Sequence, residues 1–147
     1  MNITATASNA PNLLGKRVVL LGGTSGIGLA TARAAQAAGA SVVVVSSRSQ
    51  RVAEALAALG EEAQGHAVDL HDEAAVCRLF ERLGPFDHLV YSAGESLQIG
   101  PLAGTGMDVV RKAFDVRVFG AIAAAKHAAP HLRPGGSIVL TSGVASL

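Results

Sequence analysis

Nine residues constrain this chain more than any others. Leu20 to Gly28, LLGGTSGIG, follow the apolar run Arg17-Val18-Val19 and precede an alanine-rich segment. Glycine loses the most backbone freedom on folding, so four glycines in nine residues are costly to order. A ligand or a backbone geometry must need them. The flanks narrow the choice: a buried strand over Arg17–Gly22 runs through the glycines into a helix over Gly26–Ala38, with Gly39 as its stop.

The same alternation continues along the chain. Ser41–Ser46, SVVVVS, carries four successive valines, and a half-exposed strand would alternate, so both of its faces are covered. Ser49–Leu59 reads as a helix ended by Gly60, Ala63–Val68 as a weaker strand, and Asp72–Leu83 as a helix stopped by Gly84-Pro85. Phe86–Ser92 is a fourth strand, followed by a glycine-rich loop over Gly94–Gly104. Thr105, with Asp108 three residues on, marks the start of one long helix reaching His127 or Ala129. Arg133–Gly136 is a turn into a fifth strand, Ser137–Thr141. Strands alternating with helices predict right-handed βαβ units, a parallel sheet and an α/β fold.

Composition excludes several classes. The 147 residues fit one domain, 50% apolar and 16% charged, with a net charge of +1 that offers no field for nucleic acid. No apolar run approaches the ~20 residues that span a bilayer. The first residues, MNITATASNAPN, have neither a basic start nor an apolar core, so residues 1–13 read as a flexible leader and 14–147 as the domain. Cys77 is the sole cysteine and reads as a small buried hydrophobe. It allows no intrachain disulfide, which points to a reducing, cytoplasmic setting. His127 and His131 stand four apart, but no third ligand accompanies them and Pro130 disturbs the turn, so they read as surface histidines.

The glycines sit where a parallel sheet places its ligands, between the first strand and the first helix. Gly22 lets the chain leave the strand, Gly26 keeps a side chain away from a pyrophosphate, and Gly28 lets helix and strand approach. The helix N-terminus then supplies free N–H groups and the positive end of its dipole. The spacing Gly22-x-x-x-Gly26-x-Gly28 is neither Gly-x-Gly-x-x-Gly nor a phosphate loop.

It resembles the Thr-Gly-x-x-x-Gly-Ile-Gly of the short-chain dehydrogenase/reductase family, with Leu21 in the threonine position. The resemblance covers the chain after its leader. Val68-Asp69-Leu70 looks like the family's Asp-Val/Leu after strand three, and FDHLVYSAG like its fourth strand, with Ser92-Ala93-Gly94 in place of Asn-Ala-Gly. FDVRVFGA, Phe114–Ala121, looks like its Asp-Val-Asn-x-x-Gly helix, and GGSIVLTSG like its fifth strand. The resemblance implies a Rossmann-type three-layer doubly wound sheet of five strands in the order 3-2-1-4-5. It further implies a cofactor site built from Gly22, Thr24, Ser25, Gly26, Ile27, Gly28, Asp69, Leu70, Ser92, Ala93 and Gly94, with Asp69 contacting the adenine.

The end of the second strand chooses between dinucleotides. An NAD site usually carries an acid there for the ribose 2′-hydroxyl, and that charge would repel a 2′-phosphate. Ser46-Ser47-Arg48 offers two hydroxyls and a guanidinium, and no acid occurs between Ser41 and Ala53, so NADP(H) is the expected cofactor. The register of the valines leaves open which serine makes the phosphate contact.

In the family a serine, a tyrosine and a lysine carry the chemistry, supported by an asparagine on the long helix. Ser142 is the candidate serine, although family members often place the working residue where Gly143 stands. Arg117 occupies the asparagine position and can neither accept a hydrogen bond nor lose its proton. The roles left to it are holding a substrate carboxylate, capping a neighbouring carbonyl, or ordinary packing or a salt bridge. Tyr91 has no lysine four residues on and reads as a core or strand-face residue, not as the family's tyrosine. The family's Tyr-x-x-x-Lys pair would fall about a dozen residues beyond Ser142, past Leu147.

The expectation is therefore an NADP(H)-dependent oxidoreductase acting on a small carbonyl or alcohol substrate, with these residues as its cofactor-binding half, truncated relative to the family. Alone, this piece should expose apolar surface and a strand edge, which leaves open a homo-oligomer or completion by another chain. The alternatives are a non-catalytic NADP(H)-binding or sensing protein and an interaction fragment. No membrane, nucleic-acid or metal partner is expected.

Overall fold

The computed structural model describes residues 12–94 and 100–143. Its five strands are β1 (Arg17–Leu21), β2 (Ser41–Ser46), β3 (Gln64–Ala67), β4 (Phe86–Tyr91) and β5 (Leu132–Leu140). All pair in parallel, in the order β3-β2-β1-β4-β5. The helices are α1 (Gly26–Ala37), α2 (Ser49–Leu59), α3 (Glu73–Leu83), α4 (Met107–Phe114) and α5 (Ala121–Ala128). This is the expected three-layer doubly wound sheet, with the expected strand order.

The period of two along the strands explains the layers. Val18, Leu20, Val42 and Val44 point to one side, where they meet Ala32 and Ala35 of α1 and Ala55 of α2. Val19, Leu21, Val43 and Val45 point to the other, against Val76, Leu79 and Phe80 of α3 and Ala121, Ala124 and Ala128 of α5. Each fully buried valine or leucine contributes about 1.5–3 kcal/mol. The alanines of α1 and α5 let helix backbones approach the sheet. Among the described residues no helix is long and apolar enough to cross a membrane.

The second half departs from expectation in three places. Thr105 does not cap the long helix: its hydroxyl donates to the Pro101 carbonyl at 3.0 Å, and the helix begins one residue after Gly106, which makes no side-chain cap bond. The helix is also not continuous, because Asp115–Gly120 form a π-helical segment between α4 and α5. The expected turn at Arg133–Gly136 lies inside β5 as a bulge. Phe86 pairs with Leu132 but His88 pairs with Ser137, and Gly135 takes up a φ of +80°. β5 lies at one edge of the sheet. Phe114, Phe119 and Ile122 are exposed on the neighbouring helices.

Candidate functional site

The chain leaves β1 at Leu21 and turns at Gly22, whose φ is +87°. A Cβ on Gly22 would stand 2.6 Å from the Ala93 nitrogen, and one on Gly28 would stand 2.1 Å from the Gly22 carbonyl oxygen and 2.6 Å from Ser92 Oγ. These two glycines let α1, β1 and β4 crowd together. Gly26 differs: its φ is +50°, and a Cβ there would meet nothing within 4 Å. That Cβ would fill the open space above the first turn of α1. Ser25 is the N-cap and makes no side-chain cap bond, and no acid lies in the first turn. Free N–H groups, the helix dipole and the Thr24 and Ser25 hydroxyls therefore share one open cradle that suits a pyrophosphate.

The cradle belongs to a cavity of about 340 Å³ at the carboxyl ends of β1, β2 and β4. The connections reverse across the sheet between β1 and β4, where doubly wound sheets bind ligands. Every cofactor-binding candidate lines this cavity: Gly22, Thr24, Ser25, Gly26, Ile27 and Gly28 from the loop; Ser46, Ser47 and Arg48 from the end of β2; Asp69 and Leu70 after β3; Ser92, Ala93 and Gly94 after β4. The structure adds Arg51, His71 and Val116. Arg51 follows Arg48 at helical spacing and His71 lies two residues past Asp69, so both carried a local signal. Val116 arrives from a distant segment and carried none.

Charge is distributed unevenly around the cavity. Ser46 ends β2, and its Oγ accepts from the Arg48 N–H at 3.5 Å. Arg48 is the N-cap of α2, and α2 has no acid in its first turn. Arg51 reaches back toward the loop, its Nη1 lying 3.5 Å from Ser25 Oγ. The carboxylate that lines the cavity after β3 is occupied locally. Asp69 Oδ1 accepts from the His71 N–H at 3.0 Å and lies 2.8 Å from His71 Nδ1. These bonds, the backbone one foremost, hold Asp69 below the usual carboxylate value.

The catalytic candidates stand apart from this lining. Ser142 is exposed just beyond β5, whose end is tied down where the Thr141 N–H and hydroxyl both donate to the Tyr91 carbonyl at 3.0 Å. Arg117 lies on the π-helical segment with its guanidinium against Gly94, where a Cβ would come within 2.8 Å of Arg117 Cζ. Neither residue is among those lining the cavity. Tyr91 is buried, as its sequence context implies. Its hydroxyl donates to the Val116 carbonyl, and burial pushes its pKa up to about 12.

The remaining candidates resolve into structural roles. His127 Nε2 lies 2.9 Å from Glu73 Oε1, which also accepts from Lys126 Nζ at 2.8 Å, so both side chains tie α5 to α3. Cys77 is half-buried rather than buried, with Sγ 3.6 Å from Glu81 Oε1, because it sits at the margin of the buried face of α3. Residues 95–99, within the glycine-rich loop that follows β4, lie outside the described residues.

Comparison with known proteins bears on this site. The family model described as enoyl-(acyl carrier protein) reductase matches residues 22–147. The short-chain dehydrogenase/reductase fsr5 of Gibberella fujikuroi is 35% identical over 144 residues, covering 88% of this chain and 54% of its own length. The cis-4-hydroxycyclohexanecarboxylate dehydrogenase of Sinomonas cyclohexanicum is 34% identical, covering 81% and 50%. Among solved structures, a short-chain dehydrogenase from Burkholderia cenocepacia in complex with NADP superposes with a TM-score of 0.76. It is 35% identical, and the match covers 86% of this chain and 55% of that one. The chain thus spans about half the length of the curated relatives it matches. Its sheet order, its glycine loop and the family model over most of its residues agree: the chain belongs to the short-chain dehydrogenase/reductase family.

Proposed function

We propose that this chain is the NADP(H)-binding portion of a cytoplasmic oxidoreductase that moves hydride between nicotinamide and a small carbonyl or alcohol substrate. The observation that carries the cofactor choice is the end of β2, where Ser46, Ser47 and Arg48 line the cavity and no acid occurs between Ser41 and Ala53. A 2′-phosphate would meet hydroxyl donors and a guanidinium there. Complexes with NADPH and NADP among the similar structures support the same choice. Gly26 leaves room for the pyrophosphate, and the first turn of α1 would hold it. Asp69 and Leu70 would flank the adenine, and Ser92-Ala93-Gly94 would carry the cofactor toward the ends of β4 and β5. The cofactor, once bound, supplies the hydride chemistry; the residues of this chain bind and orient it.

A second reading, a protein that binds NADP(H) without turning it over, is favoured by one observation. Arg117 stands where the family places an asparagine and cannot take the asparagine's part in a proton relay. Titration of the full chain with NADPH and NADH tests the cofactor assignment. NADPH should bind at least about tenfold more tightly, roughly 1.4 kcal/mol, and Arg48→Ala should narrow that gap. Equal affinities in the unaltered chain would overturn the assignment. Oxidation of NADPH by carbonyl compounds would decide for the reductase and against the silent binder.

A further inference from the structure

The sequence drew attention to Arg48, but the structure places a second arginine in the same cavity. Arg51 lies in the first turn of α2, three residues after Arg48, the N-cap of that helix. Val52 and Ala55 are buried, which fixes the rotation of α2 and turns Arg51 toward the glycine loop. There Nη1 lies 3.5 Å from Ser25 Oγ, at the cavity that Arg48 and Ser47 also line. Among the described residues neither Arg48 nor Arg51 has an ion-pair partner. The carboxylate nearest in sequence, Glu54, accepts instead from Gln50 Nε2 at 2.9 Å. Two arginines and the serines Ser25, Ser46 and Ser47 thus line one cavity.

We propose that Arg51 is a specificity-determining residue of this site, closing with Arg48 a two-guanidinium clamp on the cofactor's 2′-phosphate. The proposal rests on the NADP(H) reading above and deepens it. A phosphate monoester near neutral pH carries close to two negative charges on three acceptor oxygens. One guanidinium fork satisfies two acceptors, and a second serves the third and balances the remaining charge. Arg51 has a further consequence for the loop: held at Ser25, it links the 2′-phosphate end of the cavity to the pyrophosphate cradle.

Calorimetric titration of the full chain with NADPH, NADH, adenosine 2′,5′-bisphosphate and 5′-AMP tests this. Arg51→Ala should weaken NADPH and the bisphosphate by about tenfold, as expected for loss of one charge-assisted contact. NADH and 5′-AMP should change less than about twofold, and Arg51→Lys should recover part of the loss, a lysine supplying charge without the fork. Because Arg51 is exposed, the melting temperature should not move. Unchanged NADPH affinity in Arg51→Ala would leave Arg51 a solvent-facing side chain and overturn the clamp. An equal loss for NADPH and NADH would assign Arg51 to the pyrophosphate loop and overturn it too. If the unaltered chain shows no NADPH preference, the cofactor reading fails first. If it shows one that Arg48→Ala alone reduces, only the clamp fails.

Discussion

Gly26 and Gly28 stand two residues apart and answer to different constraints. Gly28 is required by the protein itself, since a Cβ would stand 2.1 Å from the Gly22 carbonyl oxygen, a backbone atom that cannot swing away. Gly28→Ala should therefore cost stability, about 1–3 kcal/mol or more, as overpacking does, and its thermal midpoint should fall with or without cofactor. Gly26 faces open space, so Gly26→Val should cost the fold only the strain of a β-branched residue near φ +50°, roughly 1–3 kcal/mol. It should abolish NADPH binding, because its methyls would fill the space proposed for the pyrophosphate. Calorimetry separates the two variants. Retained binding in Gly26→Val would mean that the glycine serves the turn alone. Arg117 shows the same logic from the other side: Gly94 is the residue whose missing side chain lets its guanidinium lie over the end of β4.

At the scale of elements, β4 and the α4–α5 segment are coupled through Tyr91. Its hydroxyl donates to the Val116 carbonyl, and a Cβ on Gly120 would stand 2.6 Å from the Tyr91 hydroxyl oxygen. The ring thus sits where the helix opens into its π-helical turn, the turn that also carries Arg117 and brings Val116 to the cavity. Burial raises the phenol's pKa from 10.0 to about 12. The folded state favours the neutral phenol, so this contribution to stability is complete below pH 10 and is lost as pH rises through about 12. The phenolate absorbance difference between the chain and Tyr91→Phe should stay flat through pH 10; a titration centred at 10 would show an exposed ring. The same elements mark the limit of what the sequence made legible. Strands β1, β2 and β4 were readable because both faces are apolar, and α1 to α3 because glycine or proline closes each. The break in the long helix was not readable, because Asp115–Gly120 contains no proline and its contact with Tyr91 comes from β4, about two dozen residues earlier. Arg133–Gly136 looks like a turn in any local window, and only pairing with Phe86 and His88 makes it a bulge. The cofactor lining was legible because its residues fall at strand ends. The outer contribution of Arg51 needed the rotation of α2.

The whole molecule divides its labour between the two ends of the sheet. At the amino ends of the strands, buried Asp87 accepts from the Arg17 N–H at 2.8 Å and from Arg133 Nη1 at 2.7 Å, with Lys16 Nζ at 3.4 Å, so one carboxylate joins β1, β4 and β5. The Arg17 backbone bond leads the effects that hold Asp87 below its ordinary 3.8. With the folded value depressed, the network's stabilisation is complete above about pH 4 and is lost as pH falls further. Asp87→Ala should cost about 2–3 kcal/mol at pH 7, since bonds to charged groups are lost and their partners left behind, and denaturant melts should show the difference shrinking toward pH 2. A constant difference across that range would remove Asp87 from the acid transition. The carboxyl ends carry the cavity, and there the claim that matters most is that the β2 end receives a 2′-phosphate. Phosphorus NMR of NADP bound to the full chain tests it most directly. Free, that phosphate loses its second proton near pH 6. Held by Arg48 beside Ser46 and Ser47, its resonance should move on binding and its titration should shift to lower pH, because cations favour the dianion. A resonance that titrates as it does in free NADP would contradict the account.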